Sequence, residues 1–430
     1  MTHLPAKSTV AALALCLAGI AQAGGLVVRA GHVVDVDHGA LLVDQAIHIE
    51  GERITRIEPY ASATTGDATV LDWSRYTVVP GLMDLHTHLA DEGQSSDPAT
   101  PLKSTPARDA FIGARNARDT LQAGFTTVRD VGVYRGFADV ALRDAINAGH
   151  VPGPRMFVAG AYITITGGGG EITGLPEGTV VPEEFRRGVA DNEAQVRQKV
   201  NAVLDGGADF IKILATGAVL TAGTEPGESE YSEAEIRAAV EEAARRGKFI
   251  TAHAHGAEGI KRAVRAGVRS IEHGSLIDDE AIALMKQHGT WLVADIYNGD
   301  YIDTVGRQQG WSAEILRKNT ETTQTQREGF RNAVKAGVNL AYGTDSGVYP
   351  HGDNARQFAY MVRYGMTPLQ AIRSATLDAA RLLGQEKALG SIAAGKAADL
   401  VAVACDPLQD VECLRQVRGV VKAGTLVPLD

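Results

Sequence analysis

The chain has 430 residues, with 42 Lys and Arg against 52 Asp and Glu, for a formal net charge of −10. That length can bury one large core or two. The acidic balance and the lack of any Lys/Arg cluster argue against nucleic acid, whose affinity rests on neutralising phosphates, and against a polybasic membrane patch.

The chain starts MTHLPAKSTVAALALCLAGIAQAGG. Lys7 supplies a positive n-region, Val10 to Ile20 an apolar h-region, and Ala21-Gln22-Ala23 a small-residue cleavage signal. Residues 1–23 are therefore predicted to be a secretory signal peptide cut after Ala23, with export to a periplasm. The apolar stretch is too short to stay as a spanning helix, and no other stretch is long and apolar enough to be one. Cys16 lacks the small residue expected before a lipidated cysteine, so no lipid anchor is expected. Cleavage leaves Cys405 and Cys413. In an oxidising compartment they can pair and close a short loop worth about 2–3 kcal/mol, but sequence separation alone leaves two free thiols equally open.

Residues 24–80 are strand-like and rich in turns: GLVVRAGHVVDVDHG, DQAIHIEGERITRIEP, ATVLDWSRYTVVPG. The same texture returns over 388–430, in GSIAAGKAADLVAVACDP and VRGVVKAGTLV. Each end alone would leave open edges and half a core, so the two are predicted to combine into one small β-sandwich domain. Residues 81–387 have another rhythm. Ala-rich helical stretches end in Gly, and apolar strands follow that end in polar residues: LQAGFTTVRD, LDGGADFIKIL, ARRGKFITAHAHG, VRAGVRSIEHG, KQHGTWLVAD, VKAGVNLAYGTDSG. Gly124, Gly207, Gly247, Gly267, Gly289 and Gly337 fit left-handed helix C-caps. Continuous apolar strands suit a parallel sheet buried on both faces. With TVVPGLMDLHTH and PRMFVAGAYITITGG there are eight units, which predicts an α/β fold, a (β/α)8 TIM barrel. An open doubly wound sheet is the competing architecture, weakened because no G-x-G-x-x-G follows an early strand.

Asp84, His86 and His88 alternate along one strand, so they share a face, with the i and i+2 positions about 7 Å apart. The two histidines lie nearest the strand's carboxyl end, where barrel enzymes keep their chemistry. Two imidazoles there can chelate one metal ion while their other nitrogens take supporting partners. H-x-H alone is a weak signal, since hydrogen-bonded histidine pairs are common. It gains weight because Lys212 in FIKILATG, His253 in ITAHAHG, His273 in SIEHGS and Asp345 in AYGTDSG all fall late in their own strands. Lys212 is the telling one, because an unpaired ammonium in a core is costly. Pairing with a core carboxylate is its bland alternative.

PGLMDLHTH, the lysine of the fourth strand, the two single-strand histidines and GTDSG together resemble the amidohydrolase superfamily, and GSIAAGKAADLVAV is similar to that superfamily's returning β domain. TTVRDVG and YPHGDN resemble its imidazolonepropionase-related branch, which holds Xaa-Pro and Xaa-Arg/Lys dipeptidases and amidohydrolases that cleave the amide of ochratoxin A. The resemblance implies two divalent metal ions, usually zinc. His86, His88 and Asp345 would hold one, His253 and His273 the other, and Lys212 would bridge them as a carboxylate formed with carbon dioxide. It also implies a homo-oligomer and a small-molecule amide or peptide substrate, with no nucleic acid or membrane partner after leader cleavage.

The expected reaction is hydrolysis of an amide or peptide bond next to a carboxylate-bearing amino acid. Asp345 would accept the proton of the attacking water and pass it to the leaving nitrogen. His255, on the face of His253 but nearer the mouth, would contact the substrate or else serve as a hydrogen-bonding neighbour of the ligands. Tyr231 precedes a capping box, Ser232 with Glu235. The resemblance offers it as a carboxylate binder, while its position offers a hydrophobic staple against Ile236. His351, after the eighth strand, could line the entrance or be a plain loop histidine. Where relatives commonly carry a histidine among the glycines, this chain has Gly167 to Gly170, which predicts a flexible, roomier rim suited to a bulky N-acyl amino acid. The alternatives are an Xaa-Pro or Xaa-Arg/Lys dipeptidase proper, or a mononuclear imidazolone hydrolase or deaminase, which would do without Lys212. A non-catalytic protein on the same scaffold would show lost ligands, and all six are present.

Overall fold

The computed structural model describes residues 25–95 and 97–430, so the leader expected over 1–23 lies outside the described residues. Among the described residues no helix is long and apolar enough to cross a membrane.

The strands Leu26–Asp35, Ala40–Glu50, Arg53–Pro59 and Thr69–Pro80 join Leu400–Val403, Val417–Lys422 and Thr425–Val427 in one seven-stranded mixed sheet. Leu400–Val403 pairs antiparallel with the end of Thr69–Pro80, which stitches the returning chain to the starting one. The expected sandwich of two sheets is instead a single curled sheet. A bulge between Ala30 and His32 bends the strand Leu26–Asp35. The outer edge then meets the chain that leads into the centre, where Ile54 N donates to Lys396 O at 2.9 Å and Ala398 N to Glu52 O at 2.8 Å. The curl encloses Val28, Ile47, Ile54, Trp73, Leu400 and Val421.

Residues 82–340 carry the parallel strands. Leu82–Thr87, Phe125–Asp130 and Arg155–Val158 form one sheet. Tyr162–Ile163, Ile211–Leu214, Ile250–Gly256, Ser270–Leu276, Trp291–Val293 and Asn339–Leu340 form a second, and every neighbouring pair within the two sheets is parallel. The strand expected as third is broken at Ala159-Gly160-Ala161, where Gly160 takes a φ of 76°. Its first half pairs with Phe125–Asp130 and its second half with Ile211–Leu214. At the opposite seam Leu85 N donates to Tyr342 O at 2.9 Å and Asp345 N to His86 O at 2.8 Å.

Leu82–Thr87, Phe125–Asp130, Ile211–Leu214 and Ile250–Gly256 are buried at every position, as a sheet covered on both faces requires. The covering helices follow their sequence pattern. Glu193–Asp205 buries Val196, Val200, Val203 and Leu204, one face at helical spacing. Each such buried side chain contributes about 1.5–3 kcal/mol. The six glycines expected to end helices all have positive φ, from 68° at Gly247 to 100° at Gly207. Ser232 and Glu235 form the expected reciprocal capping box.

Cys405 and Cys413 are disulfide-bonded, with Cα atoms 5.6 Å apart. The bond pins the helical turn Val411–Arg415, whose Val411, Cys413 and Leu414 enter the main core. Replacing both cysteines by serine should cost about 2–3 kcal/mol, because the eight-residue separation no longer restrains the unfolded chain. Urea denaturation measures this, and an unchanged midpoint in the double variant would contradict it.

Candidate metal centre

The carboxyl ends of the parallel strands surround an open pocket of about 970 Å³, counting the solvent at its mouth. His86, His88, Lys212, His253, His255, His273 and Asp345 all line it. Five strands or strand ends supply them, so only folding brings them together. The ligand atoms of His86, His273 and Asp345 lie within 4.8 Å of one another, and those of His253, His255 and His273 do the same. His255 thus stands closer to its neighbours than a residue at the mouth would.

Each imidazole is turned by a partner on its other nitrogen. His86 Nδ1 lies 2.9 Å from Glu272 Oε2. His88 Nδ1 lies 2.7 Å from the Gly132 carbonyl and 3.2 Å from the Tyr162 hydroxyl. His255 Nδ1 lies 2.7 Å from Ser275 Oγ. The free Nε2 atoms of His86 and His88 then converge on Asp345 Oδ1, at 3.4 and 3.1 Å. His253 is the exception, because its Nε2 sits 3.2 Å from the Gly217 carbonyl. His273 Nδ1 lies 3.0 Å from Asp295 Oδ1.

Beneath the pocket runs a fully buried charge network. Arg129 Nη2 donates to Glu272 Oε1 at 2.7 Å, Nη1 to Ser270 Oγ at 2.9 Å and Nε to the Leu85 carbonyl at 2.6 Å. Thr251 donates to the same carboxylate. Burial alone would raise Glu272, but Arg129 foremost and then Lys212 hold it below the ordinary range, so it stays ionised.

Burial, followed by the positive charge of neighbours, drives His86, His253 and His255 well below the usual histidine range, so they present neutral nitrogens. Burial also opposes charge on His88, but the hydrogen bond to Asp345 and its charge lift it to about 9. His88 therefore carries the proton that the Asp345 carboxylate demands, at the point where a cation could replace it. Lys212 is 2 % exposed. Burial pulls its amine down to about 8 against the opposing pull of Glu272. No carboxylate among the described residues lies within ion-pair distance of its Nζ, so the bland pairing is absent. Neutral imidazoles, carboxylates and an unpaired amine in one buried pocket are a donor set that fits divalent cations of the zinc type.

His273 and Asp345 have φ of 70° and 57°, left-handed values that cost a non-glycine residue about 1–3 kcal/mol. Asp84 helps hold the second of these turns. Its carboxylate accepts from His86 N, Thr344 N, Thr344 Oγ1 and Asn354 Nδ2, so it braces the strand ends and does not face the pocket.

Two expected substrate contacts are corrected. Tyr231 is 1 % exposed, its hydroxyl donates to the Ala190 carbonyl at 2.7 Å, and its ring shares the main core with Ile236. Its burial beside the helix start fits a packing role and excludes a contact with substrate in the pocket. His351 is not among the pocket-lining residues; it lies beside His88, where burial first and the His88 charge next bring it down to about 3. The expected flexible rim is also corrected. Gly167 N is held by Glu171, Gly169 N by Glu230 and Gly170 N by Thr164. A Cβ on Gly168 would sit 2.6 Å from Glu230 Oε2, so close packing explains the glycine there. Sequence reasoning missed Glu272, Asp295, Arg129 and Tyr162. Glu272 and Asp295 stood in quoted strand ends, and a carboxylate late in an apolar strand was the available signal.

Comparison with known proteins gives one family model, described as the amidohydrolase family, matching residues 77–427. The chain is 33 % identical over 358 residues to ochratoxinase from Aspergillus niger, covering 80 % of this chain and 73 % of that one. Its fold is similar to the crystal structure of that ochratoxinase, with a TM-score of 0.83, 30 % identity, and coverage of 94 % and 96 %. It is also similar to a Xaa-Pro dipeptidase with methionine bound in the active site, with a TM-score of 0.87, 38 % identity, and coverage of 94 % and 99 %. The buried pair beneath the pocket yields a direct expectation. Arg129→Met should lower stability by about 3–5 kcal/mol, because Glu272 is left charged and unpaired out of water. Chemical denaturation reads this, and a loss under 1 kcal/mol would mean that water or another cation reaches Glu272.

Proposed function

Because the chain belongs to the amidohydrolase family and is related to enzymes that hydrolyse carbon–nitrogen bonds, we propose that it is a binuclear-metal hydrolase. It would cleave the amide that joins an acyl group to a carboxylate-bearing amino acid. On this reading the two parallel sheets are arcs of one (β/α)8 barrel over 81–387, with 24–80 plus 388–430 as the accessory β domain, and the pocket lies at the strands' carboxyl ends. The observation that carries the reading is the convergence of His86 Nε2 and His88 Nε2 on Asp345 Oδ1, in a pocket shared with the unpaired Lys212.

His86, His88 and Asp345 would hold one ion, and His253 and His273 the second. Lys212, converted by carbon dioxide to an anionic carbamate, would bridge them, which removes its buried-cation cost. Two such ions, when bound, supply a water acidified toward neutrality and a polarised carbonyl. The protein's own part is positional and protonic. Asp345 takes the proton of the attacking water and delivers it to the leaving nitrogen, which is too basic to depart as an anion. Asn298 Nδ2 donates to Asp345 Oδ2 at 3.1 Å and aims the carboxylate. His255, steadied by Ser275, presents its other nitrogen to the substrate. Val219, Leu220, Ile302 and Val348 offer an apolar wall for a bulky side chain. A second reading, a dipeptidase restricted to Xaa-Pro, is favoured by the 38 % identity to an Xaa-Pro dipeptidase. Hydrolysis rates for N-acyl-Phe, Xaa-Pro and Xaa-Arg substrates separate the two, and cleavage confined to Xaa-Pro would establish the second.

Asp345→Asn should keep most of the bound metal while lowering kcat by about 10²–10⁴-fold, the size of a lost proton-transfer group. Metal analysis beside steady-state kinetics checks it, and an active variant with native metal content would remove Asp345 from this role. His253→Asn should lose about one ion per chain and His255→Asn none, although both lose turnover. The reverse pattern of metal content would exchange their assignments.

A further inference from the structure

A second hollow opens beside the histidine pocket. Its empty volume, about 980 Å³ with the solvent at its mouth, matches that of the first. The two hollows share Tyr134, Leu220 and Thr221 among their walls, together with Glu92 and Gln94. They are therefore adjoining spaces, and of the two only the first is lined by histidines.

The outer hollow has a definite chemistry. Ile172, Ala222 and Ile315 give it apolar wall, and Glu171 and Glu314 give it negative charge. No Lys, Arg or His lines it among the described residues. Arg186 and Lys318 pair with Glu171 and Glu314, but neither reaches the hollow's surface. Glu92 and Asp97, which also line it, pair with Arg108 and Lys103, so every lining carboxylate has a cation behind it; carboxylate oxygens and no cations face the hollow, which suits a neutral or cationic chain better than an anion. An extended peptide also finds apolar surface to cover, and each covered Å² favours binding.

We propose that the outer hollow is a binding site for the acyl side of a longer substrate, so that the enzyme releases the carboxyl-terminal residue from peptides of three or four residues. The preferred peptides have a neutral or positively charged amino-terminal part. The inference rests on the amide-hydrolase reading above and extends it from the reacting bond to the whole substrate. The bond chemistry is ordinary hydrolysis. Water's oxygen bonds to the acyl carbon, the C–N bond breaks, and the water's protons end on the new carboxyl group and the released amine.

The test is a length and charge series on the metal-loaded enzyme: Ala-Phe, Ala-Ala-Phe, Ala-Ala-Ala-Phe and succinyl-Ala-Ala-Phe. The expected result is a rise in kcat/KM of tenfold or more from the dipeptide to the tetrapeptide, with the succinylated peptide falling back toward the dipeptide. Ala222→Trp, which fills the outer hollow, should bring the tetrapeptide-to-dipeptide ratio close to one. A wild-type ratio near one with active dipeptide cleavage overturns this inference alone. So does a folded A222W protein that keeps the wild-type ratio. No turnover of any peptide or N-acyl amino acid overturns the hydrolase reading and this inference with it. The wild-type series decides even where A222W does not fold.

Discussion

A guanidinium and a carboxylate with no access to water lie under the pocket, and the pocket's geometry depends on their pairing. Arg129 and Glu272 are both fully buried, and each would be costly alone. Paired, they leave one Glu272 oxygen free to take His86 Nδ1. That commits the His86 ring to a single orientation, with Nε2 turned toward the pocket. Arg129 also reaches Leu85 and Ser270, and Thr251 reaches Glu272. Four strands are thereby tied to one charge pair, directly below the side chains that would meet a metal.

The upper part of the pocket depends on a different restraint. His273 and Asp345 occupy left-handed backbone that their side chains do not favour, so the surroundings must hold them there. For Asp345 that surrounding is the Asp84 carboxylate, which gathers His86, Thr344 and Asn354 into one cluster. Asn354 belongs to a short helical turn, Asn354–Arg356, that packs against Val411–Arg415, the segment closed by the disulfide. The far end of the chain therefore braces the site from outside, as the terminal sheet braces the start of the first parallel strand.

Much of this was legible residue by residue. Alternation over 24–80, glycines at helix ends and apolar runs ending in His, Lys or Asp are local patterns, because they reflect backbone conformation and burial over a few residues. Tyr231 shows the limit. Its place before a capping box was readable, but whether its hydroxyl faced a substrate or a buried carbonyl depended on Ala190, 41 positions away. The glycine rim shows the same limit. Four glycines in a row read as freedom, and the structure fills the space beside three of them, Gly168 to Gly170, with side chains that include Glu230, Thr164 and Leu214. Glu272 lay late in an apolar strand, which marks it as a buried carboxylate, but its role depends on the arginine that folding places beside it.

By itself the sequence determined the alternating strand-and-helix order, the sharing of one small β domain between the two ends, and the candidate ligands His86, His88, Lys212, His253, His273 and Asp345. These follow from periodicity, propensity and the cost of burying particular groups, all of which act locally along the chain. Only the tertiary structure decided which nitrogen of each histidine is free, that Lys212 lacks a carboxylate partner, that Asp295 and Glu272 support the site, and that two hollows adjoin above it. Those properties are distances between residues far apart in the chain, and they take values only once the strands have been laid side by side.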